Sequence, residues 1–163
     1  MKYKVEGVHH VAVSVPDIEL ARKFYVDLLG AKITSEIGWE NNAFIDAIVG
    51  LPGSAAKSFM ATLGNTNIEV FEYTAPQADP QDANRGVNQY GYTHFGIQVD
   101  DIMEVYERMK EAGIRFHAPP EMSAITVDAD GTKHGYTATY GRDFFGNVFE
   151  IMEIYDHDQI NRV

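Results

Sequence analysis

Two histidines and two glutamates occupy matching places in this chain, and together they could share one divalent cation. His94 opens the strand-like run of GYTHFGIQVDD (Gly91–Asp101). Phe95, Ile97 and Val99 fall on one face by the two-residue period of a strand, and His94, Gly96 and Gln98 fall on the other. The small residue after the histidine leaves room beside the imidazole. HVAVSVPD (His10–Asp17) has the same design, with Val11, Val13 and Val15 on one face and His10, Ala12 and Ser14 on the other. Glu69 lies in TNIEVFEY (Thr66–Tyr73) and Glu150 in NVFEIMEI (Asn147–Ile154), each a carboxylate between apolar neighbours of a strand. Burying an unpaired carboxylate costs several kcal/mol, so each needs a cation, a donor or a proton. Two neutral imidazoles and two carboxylates suit a divalent ion, with the carboxylates balancing its charge.

The elements that must position these four residues form a repeat. Each histidine strand runs into a helical pattern closed by a glycine: Ile18, Ala21, Tyr25, Leu28 and Leu29 before Gly30, and Ile102, Val105, Tyr106 and Met109 before Gly113. His10 aligns with His94, Asp17 with Asp101, and Glu69 with Glu150. The period of about 80 residues is too long for a solenoid and fits two halves of one domain. In chain order the reading is a strand over Lys4–Val15, a helix over Asp17–Leu29 capped by Asp17, a strand over Ala31–Trp39, and an ambiguous segment over Asn41–Val49. Strands over Ser58–Leu63 and Asn67–Tyr73 follow, joined at Gly64-Asn65. The second half repeats strand and helix, then continues with strands over Ile114–His117, Tyr136–Arg142 and Val148–Ile154. The whole is an α+β chain of two βαβββ modules, 5–75 and 91–155, joined by a polar linker over 76–90 within one 163-residue domain.

Composition sets bounds. A formal net charge of −11 argues against nucleic acid and anionic membrane surfaces. There is no cysteine, hence no disulfide, thiolate ligand or cysteine nucleophile. MKYKVEGVHH has no long apolar run, so neither a signal peptide nor a membrane helix is expected, and the default location is cytoplasmic.

The paired histidine strands, FYVDLLG (Phe24–Gly30), IEVFEY, THFGIQVDD and RDFFGNVFEI resemble the vicinal oxygen chelate superfamily, which includes glyoxalase I, methylmalonyl-CoA epimerase, bleomycin-resistance proteins and type I extradiol dioxygenases. The resemblance runs from about Val5 to Tyr155. It implies that His10, Glu69, His94 and Glu150 are the metal ligands, that the two modules curve into a cup around one ion (Ni, Co, Mn, Fe or Zn), and that the protein is a homodimer. The centre lies either within one chain or across two, since such modules pair either way.

The activity implied first is a lyase or isomerase. The ion chelates two neighbouring substrate oxygens and stabilises the enediolate or enolate formed on deprotonation next to a carbonyl, with Glu150 or Glu69 shuttling the proton. Glutathione-holding groups are absent: the family's first-strand arginine falls at Ser14 and its asparagine near Tyr73, which points away from lactoylglutathione lyase. An Fe(II) extradiol dioxygenase is the alternative, since Tyr140–Glu150 is similar to that family's signature and His134 stands upstream. A metal-free antibiotic-binding protein is the second alternative, though such members usually lack the ligands. Phe71, Tyr140 and Trp39 are the expected substrate-binding residues, for a small, moderately apolar oxygenated molecule. His9 is expected on the other face from His10, His117 and His134 in solvated turns, and Glu72 and Glu153 facing solvent or the helix side.

Overall fold

The computed structural model describes residues 4–163. The chain divides into two compact units, Met1–Gln81 and Asp82–Val163. Each is a four-stranded mixed sheet with a helix on one face, so both are βαβββ modules and the class is α+β.

In the first unit β1 (His10–Ser14) leads into α1 (Ile18–Arg22), which continues as a π-helical stretch over Lys23–Leu28. Asp17 caps α1, accepting from the backbone N–H of Glu19 and Leu20. β2 (Lys32–Trp39), β3 (Ala55–Leu63) and β4 (Thr66–Ala75) complete the sheet in the order β1-β4-β3-β2, with β1 parallel to β4. The ambiguous segment is a helix, α2 (Ala43–Val49), because Asn42 accepts from the N–H of Phe44 and Ile45, and Gly50 supplies the left-handed turn that ends it. Apolar residues of alternating strand positions, Phe59, Ala61, Ile68 and Val70, form the core with Ala21, Phe24 and Tyr25 of the helical segment, all nearly or fully buried.

The second unit has β5 (His94–Gln98), α3 (Ile102–Glu111), β6 (Arg115–Phe116), β9 (Tyr136–Arg142) and β10 (Val148–Ile154), in the order β5-β10-β9-β6. Between β6 and β9 lie a 3-10 turn over Met122–Ala124 and a hairpin of β7 (Thr126–Val127) and β8 (Lys133–His134). Ile102, Tyr106 and Met109 meet Phe149 and Ile151, with Phe116 bridging Tyr106 and Phe149 at ring distances of 4.8 and 5.8 Å. Truncating Phe149 to alanine removes a ring from the middle of this core, a change worth about 3–5 kcal/mol.

One bond recurs in both units. The N–H of Ile18, at the start of α1, donates to Glu72 at 2.8 Å, and that of Ile102, at the start of α3, donates to Glu153 at 3.0 Å. These carboxylates therefore face the helix side, satisfying an N–H that has no partner within its own helix. No helix among the described residues is long and apolar enough to cross a membrane.

Candidate metal-binding half-sites

The sheet register places a histidine and a glutamate diagonally across two parallel strands in each unit. On the first sheet His10 lies opposite Asn67 and Ala12 opposite Glu69; on the second, His94 lies opposite Val148 and Gly96 opposite Glu150. The same offset puts Nε2 of His10 3.2 Å from Oε2 of Glu69, and Nε2 of His94 3.3 Å from Oε2 of Glu150. Both glutamate side chains are 18% exposed, so they are half-buried and partnered rather than deeply buried and alone. A Cβ at Gly96 would sit 3.4 Å from Oε2 of Glu150, an ordinary contact, so a small residue is enough here. Ala12, which carries such a Cβ, is the small residue opposite Glu69.

The other ring nitrogens are engaged as well. Nδ1 of His94 is 3.0 Å from the Thr93 hydroxyl, and Nδ1 of His10 is 2.9 Å from Nδ1 of His9. Holding Nδ1 turns Nε2 toward the carboxylate, and such outer contacts fix ring orientation in metal sites. A bare nitrogen lone pair facing a carboxylate oxygen at this distance is repulsive, so a proton or a shared cation must lie between them. The donor set, one imidazole and one carboxylate per half-site, fits a divalent ion. The four expected ligands thus come together as two pairs. Among the described residues no group of three or more His, Asp or Glu side chains is close enough to hold an ion.

The surroundings of the two pairs differ. On the first sheet Glu69 lies opposite Met60, and beyond it come Phe71 and Tyr73 of β4 with Trp39 of β2. Burial and the nearby Glu69 charge push the Tyr73 phenol above its ordinary pKa, which keeps its proton on. On the second sheet Glu150 lies opposite Tyr140, whose ring is 4.5 Å from that of His94. His117, expected in a solvated turn, lies exposed in a bend just after β6; its backbone N–H donates to the Tyr140 carbonyl at 2.8 Å, and its ring stands 6.1 Å from the Tyr140 ring. Burial, then the charges of Arg142 and Arg115, hold its imidazole below the usual pKa.

The strand carrying Glu150 starts from a braced turn. Asp143 accepts from the N–H groups of Phe145 and Asn147, and Arg142 donates to the carbonyls of Ala83, Arg85 and Gly146. Gly146 has φ +91 and lies where a Cβ would be 2.4 Å from Cα of Ala83, so no other residue fits. Of the residues expected to bind substrate, Phe71 and Trp39 share the sheet face of Glu69, and Tyr140 shares that of Glu150. His9, expected on the other face from His10, has its ring against that of His10 instead. Of the other aromatic residues, Phe59 is core, whereas Phe44 and Tyr92 are exposed. His134 lies between Asp128 (2.9 Å) and Asp156 (3.5 Å), so both ring nitrogens face carboxylates around the β7–β8 hairpin.

The chain is similar to proteins of known family and fold. The profile of the "Glyoxalase/Bleomycin resistance protein/Dioxygenase superfamily" matches residues 7–151. The chain is 31% identical over 157 residues to a 2-epi-5-epi-valiolone epimerase of Actinomyces sp, covering 91% of this chain and 79% of that one. It is 31% identical over 152 residues to an ethylmalonyl-CoA/methylmalonyl-CoA epimerase of Cereibacter sphaeroides, covering 90% and 97%. Against the mouse mitochondrial methylmalonyl-CoA epimerase, at 29% identity over 69% of this chain, it spans only 57% of the relative's length. In fold it is similar to a glyoxalase family protein from Bacillus cereus, with a TM-score of 0.79 at 20% identity over 93% of this chain and 96% of that one. With the repeated βαβββ units and a profile match across nearly the whole chain, the protein belongs to the glyoxalase/bleomycin resistance/dioxygenase superfamily.

Proposed function

We propose that this chain is a divalent-metal-dependent isomerase, an epimerase, that moves a proton on a carbon next to a carbonyl of a small oxygenated molecule. The observation that carries the reading is the repeated pair: the same two atoms, at 3.2 and 3.3 Å, at the same register in both units. A repeat kept for folding alone needs apolar faces and helix caps, not a second imidazole facing a second carboxylate. That relatives over nine-tenths of the chain are epimerases supports the reaction class.

In this reading His10, Glu69, His94 and Glu150 hold one ion. A bound divalent ion supplies Lewis-acid polarisation of the substrate's neighbouring oxygens, which makes the adjacent C–H more acidic. The chain's residues do the rest. His10 and His94 offer Nε2, oriented by His9 and Thr93. Glu69 and Glu150 are the proton-carrying groups, and inversion needs two: one to take the proton, one to return it. Trp39, Phe71 and Tyr140 contact the substrate. The protein is a cytoplasmic homodimer.

The test is metal content by plasma mass spectrometry on protein purified without chelator. One divalent ion per chain is expected, with release of bound metal in a His10→Ala, His94→Ala double variant. Protein that holds no ion and takes up none on titration overturns the reading.

A further inference from the structure

Beyond Glu69 the first sheet carries an aromatic corner. The Trp39 ring lies 5.9 Å from that of Phe71 and 5.8 Å from that of Tyr73, edge-on to both, and the last two are 5.7 Å apart. All three rings are half-buried, so each keeps a surface free to meet a ligand. The indole is held by a chain of hydrogen bonds. Its N–H donates to the Ser54 hydroxyl at 2.8 Å, and that hydroxyl donates to Asp46 at 2.6 Å. Asp46, in α2, also accepts from the backbone N–H of Ser54 at 2.8 Å and of Gly53 at 2.7 Å. Ser54 is fully buried. Those three donors hold the Asp46 carboxyl below its ordinary pKa, so it remains an acceptor and fixes the hydroxyl's direction.

Two features make this more than core packing. The hydrophobic core of the unit lies on the other face of the sheet, behind Phe59, Ile68 and Val70. The corner shares its face with Glu69, because Asn67, Glu69, Phe71 and Tyr73 alternate along β4. On that face Ser35, Ile37 and Trp39 of β2 and Ala56, Ser58 and Met60 of β3 lie across from one another, and none is a cation. A phosphate or nucleotide group would find no partner there, whereas a hydrocarbon surface would.

We propose that Trp39, Phe71 and Tyr73 form a subsite for the uncharged carbon skeleton of the substrate, and that Ser54 and Asp46 are positioning residues that hold the indole in place. This rests on the reading that His10 and Glu69 belong to the reaction centre.

Trp39 is the only tryptophan, so its emission reports directly on the subsite. Two α-hydroxy ketones with the same neighbouring oxygens, 3-hydroxybutan-2-one and 2-hydroxycyclohexanone, are titrated onto the Mn(II)-loaded protein. The cyclic ketone has two more carbons to bury, and binds about tenfold tighter with a shift in emission. Ser54→Ala narrows that ratio to within about threefold while the affinity of the open-chain ketone stays unchanged. Trp39→Ala abolishes the ratio by calorimetry, and Trp39→Phe, which keeps a ring, restores at least half of it on a logarithmic scale. Equal affinities in the unaltered protein, no binding of the cyclic ketone, or a Ser54→Ala loss equal for both ketones overturns the proposal. Failure of the metal reading is seen separately: chelator then leaves both affinities unchanged, while their ratio still decides the subsite.

Discussion

The two half-sites are alike at the atoms that would touch a cation and unlike one residue further out. Both bring an Nε2 and an Oε2 within 3.2–3.3 Å across a parallel strand pair, with a small residue opposite the glutamate. Beyond that, the first unit presents Met60, Phe71, Tyr73 and Trp39, and the second presents Tyr140 with His117 beside it. Such a division is what an enzyme built on a duplicated module needs. Under the proposed function the histidine–glutamate pair is kept twice because each copy would supply half of a coordination set, whereas the flanks are free to diverge because they would meet different parts of a substrate.

The comparison is broken most forcefully at the two carboxylates. Glu69→Gln and Glu150→Gln are each expected to cut epimerisation by about 10²–10⁴-fold. Solvent deuterium exchange should persist for opposite hands of the substrate in the two variants. If either variant inverts substrate within tenfold of the unaltered rate, its glutamate carries no proton. A smaller effect is expected from the residues that hold Nδ1. Thr93→Val and His9→Phe should each weaken metal binding by about 10–100-fold in competition with a chromophoric chelator. If only one of them does, the half-sites are not equivalent.

The smallest effect concerns the flank that the second unit alone possesses. The pKa of His117 is depressed in the folded protein, below the 6.5 of a free imidazole. The folded state therefore binds fewer protons here than the unfolded chain. The stability this contributes is present above pH 6.5 and is lost as pH falls through the depressed value. The thermal midpoint should decline as pH falls below 6.5, and less so in His117→Gln, because that side chain does not titrate. Parallel pH profiles for the two proteins would remove His117 from the account.

Much of this was legible in the sequence because period-two alternation and helix caps are local. Tyr136–Arg142 and Val148–Ile154 read directly as strands, the strand read over Lys4–Val15 spans only His10–Ser14, and Asp17 and Asp101 do cap their helices. What escaped was whatever depends on contacts distant in sequence or on end effects. The β7–β8 hairpin has only two residues per strand, too few for a period to show. α2 is seven residues of mostly apolar side chains, in which helix and strand patterns coincide; Asn42 and Gly50 decide it at the ends. The Trp39–Ser54–Asp46 chain joins residues from three separate elements and loops, none of which suggests the others. His9 was misjudged because strand alternation was applied to it, whereas the strand begins only at His10.

In each sheet the last strand made is an inner one: β4 inserts between β1 and β3, and β10 between β5 and β9. As the chain leaves the ribosome, the first strand of each unit has no neighbour to pair with until that final segment emerges. The late strand also carries, on opposite faces, the carboxylate of the half-site and the carboxylate that closes the start of the helix. Completion of each sheet and the meeting of its histidine with its glutamate are therefore a single event during synthesis, so a nascent chain stalled before β10 carries the first pair and lacks the second.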